Sequence, residues 1–226
     1  MSNSAAKNIG IAPAGYHQLY YADRDWHSYA SLLAMVVKYS EPGPILDLGA
    51  GCGYFVEAGM QWGLQCVGID GAHEAIELAT SRAPEIDIKL HKLSEPLPFQ
   101  DHSFQTIVMN QVIEHLEPSV LEMALLEAFR VLRPGGTILI LSPSAANKNE
   151  WDADPTHINL LSPSELRNVL VKSGFEKIIP FDNSLNLLGN SRFARGMMYV
   201  LFKLLKLDML SATANAVAYK PRAGNR

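Results

Sequence analysis

Ile45-Leu46-Asp47-Leu48-Gly49-Ala50-Gly51-Cys52-Gly53 decides the fold of this chain. Apolar residues surround a carboxylate over residues 45–48, three glycines follow at alternate positions, and helix-compatible sequence begins near Tyr54. That is the pattern of a β-strand running into a tight loop that opens a helix. Glycine lets a backbone turn sharply and approach a ligand closely. A helix N-terminus offers unpaired N–H groups and the positive end of a dipole. The stretch therefore reads as a nucleotide-type binding loop, and its spacing narrows the ligand. A dinucleotide fingerprint is G-x-G-x-x-G. Here the glycines stand at 49, 51 and 53, and Tyr54 occupies the place of the third fingerprint glycine. A bulky residue there fits poorly with close packing of helix on strand. No G-K-[ST] follows, so a phosphate-binding P-loop is excluded.

Outward from this loop the chain alternates strands and helices. Helical spacing runs from Tyr16 to Tyr39 and stops at Glu41-Pro42-Gly43-Pro44. Strands are expected over 45–48, 66–70, 86–90, 106–109, 137–141, 175–181 and 215–219, and helices over 53–62, 72–82, 116–132 and 162–174. The helix over 162–174 opens with Ser162-Pro163 and closes at Gly174. Arg133-Pro134-Gly135-Gly136 reads as a turn, residues 143–161 as polar and irregular, and residues 1–15 as mobile. Strands alternating with helices mean a parallel, doubly wound α/β sheet. Ligands in such sheets bind outside the carboxyl ends of the strands.

Composition excludes other classes. With 226 residues, a net charge of −4 and 19% charged residues, the chain lacks the basic face that nucleic acid requires. No apolar run of spanning length and no signal-peptide core is visible. Cys52 and Cys66 make neither a disulfide framework nor a zinc site, no metal is expected, and a reducing, cytoplasmic setting is the plain reading.

The D-x-G-x-G-x-G form of residues 47–53 resembles motif I of the class I S-adenosylmethionine (SAM) dependent methyltransferases. The resemblance covers residues 45–180 closely and 215–221 loosely. It implies a Rossmann-like seven-stranded sheet whose last strand is antiparallel, and SAM as cofactor with S-adenosylhomocysteine as product. The resemblance implies a helical cap over the cofactor site (1–40) and a SAM-binding core (41–183); the apolar composition between the last two strands adds a helical insertion (184–213), before a last strand with its tail (214–226).

The resemblance also assigns residues. Gly49, Ala50, Gly51 and Gly53 pass beneath the amino acid part and ribose of SAM. Asp70, followed by Gly71, ends the second strand, where its carboxylate either holds the ribose hydroxyls or caps the next helix. Asp47 either reaches the SAM amino group or orders the loop. Lys92 to Phe104 resembles an adenine-side segment, but Leu93 stands where relatives often carry Asp, which leaves adenine to Ser94 and apolar contact; Gln105 is a second departure. Asn110-Gln111-Val112-Ile113-Glu114-His115-Leu116 resembles a segment along the methionine portion of SAM. His115 in it is either a base or a residue that fixes the loop. Tyr16 and Tyr20, four apart on one helical face, either touch the SAM carboxylate and sulfonium or pack on the sheet.

Methyl transfer needs nucleophile and methyl held collinear in a dry site, and a base only where the nucleophile must lose a proton. Trp151 to Asn159 follows the fifth strand and resembles a substrate-side "D-x-T-H-x" segment. It supplies the base candidates His157 and Asp154, with an Asx-Pro turn as the plain alternative. Residues 191–210 carry methionines and leucines among Arg192, Arg195, Lys203 and Lys206. They read as a lid over an apolar acceptor, a membrane-surface helix, or a core or dimer helix. The expected activity is methyl transfer to an O or N atom of a small acceptor, by a monomer or a homodimer. A SAM-binding protein without turnover and a nicotinamide oxidoreductase are the competing readings.

Overall fold

A computed structural model describes residues 20–147, 154–181, 213–222 and 224. Seven strands form one sheet: β1 (Ile45–Leu48), β2 (Cys66–Asp70), β3 (Ile88–Leu90), β4 (Phe104–Asn110), β5 (Leu132–Leu141), β6 (Glu176–Phe181) and β7 (Asn215–Tyr219). Their order is β3-β2-β1-β4-β5-β7-β6. The five strands from β3 to β5 run parallel, and β7 is antiparallel to both β5 and β6. The expected fold, last strand included, is borne out.

Two apolar layers explain why the helices cover both faces. Leu46 and Leu48 of β1 pack in one core with Leu121, Leu125 and Ala128 of α4 (Pro118–Val131) and Leu166 of α5 (Pro163–Lys172). Ile45, Val108 and Leu139 pack on the opposite face with Leu32, Leu33 and Val36 of α1 (Ala30–Tyr39) and Phe55 of α2 (Tyr54–Gln61). Strand residues two apart share a face. Asp47 therefore lies on the α1–α2 side with Ile45, at the end of β1 where helical cover gives way to the site. The α5 cap is a full capping box: Ser162 Oγ accepts from the Glu165 amide, and Glu165 accepts from the Ser162 amide.

Three local expectations change. The continuous helix expected from Tyr16 to Tyr39 is interrupted among the described residues: a turn follows Tyr20, and a 3-10 turn over Trp26–Tyr29 leads into α1. Asp25 causes the restart, its carboxylate accepting from the Ser28 amide at 3.2 Å. The Arg133–Gly136 turn lies inside β5, as an irregularity between the pairs Phe104–Leu132 and Thr106–Thr137. The helix expected from residue 116 begins at Pro118, after a 3-10 turn over Ile113–His115. Tyr16 and residues 182–212, including the amphipathic segment 191–210, lie outside the described residues.

Candidate active site

The glycine loop leaves β1 in a conformation that β-carbons oppose. Gly49 has φ +78° and Gly51 φ +53°, the left-handed region open to glycine. A Cβ on Gly49 would stand 2.5 Å from Val112, and one on Gly51 would run into the Tyr21 hydroxyl. The Gly49 and Ala50 amides both donate to Ile69 O at 2.9 Å, which folds the loop back over the end of β2 (Cys66–Asp70).

Asp70 then fastens it. Its Oδ2 accepts from the Gly51 amide at 2.8 Å, and its Oδ1 accepts from the Ala72 amide at 2.8 Å. Ala72, not Asp70, is the N-cap of α3 (His73–Arg82). A carboxylate has about four lone-pair sites, so two remain for a ligand. Gly71 faces Lys92 across the β2–β3 edge, with a Cβ position 3.6 Å from the lysine Cγ.

Asp47 is 4% exposed, and its pKa is pushed up to about 8, first by burial and then by the charge of Asp70. With Gly49, Ala50, Asn110 and Gln111 it lines a cavity whose other wall is Tyr20, Tyr21, Arg24, Tyr29 and Phe55. Gln111 has φ +57°, a strained conformation at the C-terminal end of β4, and its amide donates to Leu141 O at 2.8 Å. Leu93 is buried in the core and Ser94 is exposed, so the adenine-side segment offers the backbone and the serine hydroxyl. Two side chains of α4 hold the following loop. Glu127 accepts from the Leu97 amide at 2.7 Å, and Arg130 donates to Leu97 O at 3.0 Å and Phe99 O at 2.9 Å.

Four cavity residues, Tyr21, Arg24, Tyr29 and Phe55, were not among the expected site residues. Tyr21 packs edge-on against Tyr20, and the Arg24 guanidinium lies 4.0 Å from the centre of the Tyr20 ring. Burial raises the Tyr21 hydroxyl well above its ordinary pKa and the Tyr29 hydroxyl to about 12. The available signal was the aromatic run itself: Tyr20-Tyr21 and Tyr29 flank a lone arginine in Asp23-Arg24-Asp25.

The loops after β4 and β5 converge. The Ile158 and Asn159 amides donate to Glu114 O at 2.8 and 3.0 Å. His115 Nδ1 lies 2.9 Å from Thr156 Oγ1 and 3.3 Å from Thr156 O. Thr156 Oγ1 donates its one proton to Asp154 Oδ1 at 2.6 Å. Both neighbours of Nδ1 are therefore acceptors, so Nδ1 carries the hydrogen and the lone pair of neutral His115 sits on Nε2. Asp154 also accepts from the Thr156 amide at 2.9 Å, an Asx turn, while its Oδ2 stands 3.9 Å from His157 Nε2. The His115 and His157 rings are 4.9 Å apart. The structure thus brings His115, Asp154 and His157 together, and adds Thr156 and Glu114.

A family model described as "Methyltransferase domain" matches residues 19–178. The chain belongs to this methyltransferase family. Among its relatives, a "Probable S-adenosylmethionine-dependent methyltransferase" of Mycolicibacterium smegmatis is 33% identical over 135 residues, covering 58% of this chain and 51% of the relative. The "Uncharacterized methyltransferase YcgJ" of Bacillus subtilis is 30% identical over 155 residues, covering 65% and 60%. The chain thus spans between half and three-fifths of the length of these relatives. The crystal structure of a SAM-dependent methyltransferase from Archaeoglobus fulgidus superposes with a TM-score of 0.69 at 20% identity, over 91% of this chain and 100% of that one. The SAM-dependent methyltransferase resemblance of residues 45–180 is borne out, and SAM is the family's cofactor. The glycine cradle that β-carbons would fill and the doubly anchored Asp70 fit that cofactor.

Proposed function

We propose that this methyltransferase transfers the methyl group of SAM to an O or N atom of a small acceptor. The observation that carries the reading is the 2.8 Å bond from the Gly51 amide to Asp70, which joins the glycine loop to the acid at the end of the neighbouring strand. When bound, SAM supplies an electrophilic methyl group on a positively charged sulfur. Asp70 accepts the ribose hydroxyls with its remaining lone pairs. Gly49, Ala50 and Gly51 give the ligand close backbone approach. Ser94 and the Leu93 backbone meet the adenine, and the buried Leu93 side chain forms the floor of that segment.

Asp47, Asn110, Gln111, Tyr16 and Tyr20 receive the amino acid portion, and Arg24 adds a cation for its carboxylate. His115, Asp154 and His157 face the acceptor, orient it, and take its proton where it must lose one. The net charge of −4 favours a small acceptor over nucleic acid. Among the described residues no helix is long and apolar enough to cross a membrane. The domain division proposed from the sequence keeps 41–183 as the core that carries these groups, apart from Tyr16, Tyr20 and Arg24, which belong to the cap over 1–40.

Incubating the protein with methyl-labelled SAM and small-molecule extract tests the reading. Label should appear in a small organic product, and Asp70→Ala should sharply reduce it at the same SAM concentration. Cofactor binding without transfer to any acceptor would favour a SAM-binding protein without turnover.

A further inference from the structure

The loops after β4 and β5 gather a group whose chemistry points to a second ligand. Glu114, His115 and His157 each offer one ligand atom, and these atoms lie within 4.8 Å of one another. The Glu114 carboxylate is 0% exposed, and the His157 side chain is 7% exposed. One carboxylate oxygen with two imidazole nitrogens is a donor set that suits Mn²⁺, Fe²⁺, Co²⁺ or Zn²⁺, whereas Mg²⁺ and Ca²⁺ prefer oxygen alone.

The surrounding bonds are those of an oriented ligand. A metal-binding imidazole donates its other N–H to an oxygen acceptor, which fixes its tautomer. His115 does this, donating from Nδ1 to Thr156, which is itself held by Asp154. Metal bonds of about 2.0–2.2 Å set ligand atoms roughly 3–3.5 Å apart, so side-chain movements of about 1–2 Å would close the group on an ion. The two halves of the site are joined by the Ile158 and Asn159 amide bonds to Glu114 O, so the ligands come from loops already tied together.

We propose that Glu114, His115 and His157 form a divalent transition-metal site, and that an oxygen atom of the acceptor completes its coordination. The acceptor's part rests on the methyltransferase reading above; the metal site itself stands on these three residues. An ion there lowers the pKa of a bound hydroxyl and leaves Asp154, beside His157, as the group that takes its proton. The acceptor class is then an oxygen-bearing molecule, a phenol or enol rather than an amine.

The test uses the full chain without an affinity tag, stripped with chelator and titrated with Co²⁺ alone. One equivalent should bind with a visible d–d band, and Thr156→Val should weaken it by about tenfold or more. His157→Gln should remove the band while keeping its melting shift with S-adenosylhomocysteine; that shift shows that the fold and cofactor site survive. Glu114→Gln serves as a second variant under the same control. Absence of the band from the native protein, or its persistence in His157→Gln, overturns the site. A native protein that binds Co²⁺ but not S-adenosylhomocysteine would instead defeat the methyltransferase reading.

Discussion

The Asp70 carboxylate accepts the Gly51 amide at 2.8 Å and so closes the glycine loop against the end of the adjacent strand. Its other oxygen accepts the Ala72 amide, which orders the entry to α3. One residue thereby sets the shape of the loop, and in the proposed reading its remaining lone pairs hold a sugar. Hydrogen bonds to a charged group contribute about 1.5–3 kcal/mol each. Asp70→Ala should lower affinity for S-adenosylhomocysteine by about 100-fold and lower the melting temperature by several degrees, as read by calorimetry. A change of less than threefold in affinity would show that Asp70 only shapes the loop.

Asp47 couples stability to pH. Its pKa in the folded protein is pushed up to about 8 by burial and Asp70, far above an unfolded aspartate near 3.8. Between those values the unfolded chain has released the proton and the folded chain keeps it, so stability falls as pH rises from about 4 to about 8. Asp47→Asn removes this dependence. It should be more stable than the native protein at pH 7, by an amount on the order of a few kcal/mol, and should bind SAM less tightly because it cannot ionise toward the amino group. Urea melts at several pH values check the first statement. A native protein whose stability is flat over that range would contradict it.

The strand and helix order was legible because apolar periodicity is strong in both layers, as with Leu46, Leu48 and Ile45 on alternate faces of β1. The restart at Asp25 was not, because aromatic and apolar spacing runs on across it while the cap acts through one side chain. Arg24 and Tyr21 escaped notice because the i, i+4 pair Tyr16 and Tyr20 drew the helical face elsewhere. The link from His115 to Thr156 spans 41 residues, and no local pattern encodes which loop residue meets which. Leu93 was visible as a departure, and its burial gives the reason: the position serves the core.

Lys220 holds the end of α4 in place. It is 8% exposed, and its ammonium donates to Phe129 O at 2.6 Å and Leu132 O at 2.8 Å. These are carbonyls at the C-terminal end of the helix, which favours a cation. Lys220→Met should lower stability by about 2–4 kcal/mol, since charged bonds are lost and carbonyls are left buried. Chemical denaturation measures this, and a loss under 0.5 kcal/mol would refute it.

The His115 tautomer is directly observable. Nitrogen-15 spectra should show neutral His115 with its hydrogen on Nδ1, and Thr156→Val should weaken that preference. A neutral Nε2–H form in the native protein would contradict the bond network through Thr156 and Asp154.

Gly51 offers the most direct test, because a side chain there meets both an unfavourable φ of +53° and the Tyr21 hydroxyl. Isothermal titration with S-adenosylhomocysteine should give one site on the native protein and no measurable heat on Gly51→Val at the same concentration. Equal heats from both proteins, or none from either, would contradict the assignment of the glycine loop and Asp70 as the cofactor site.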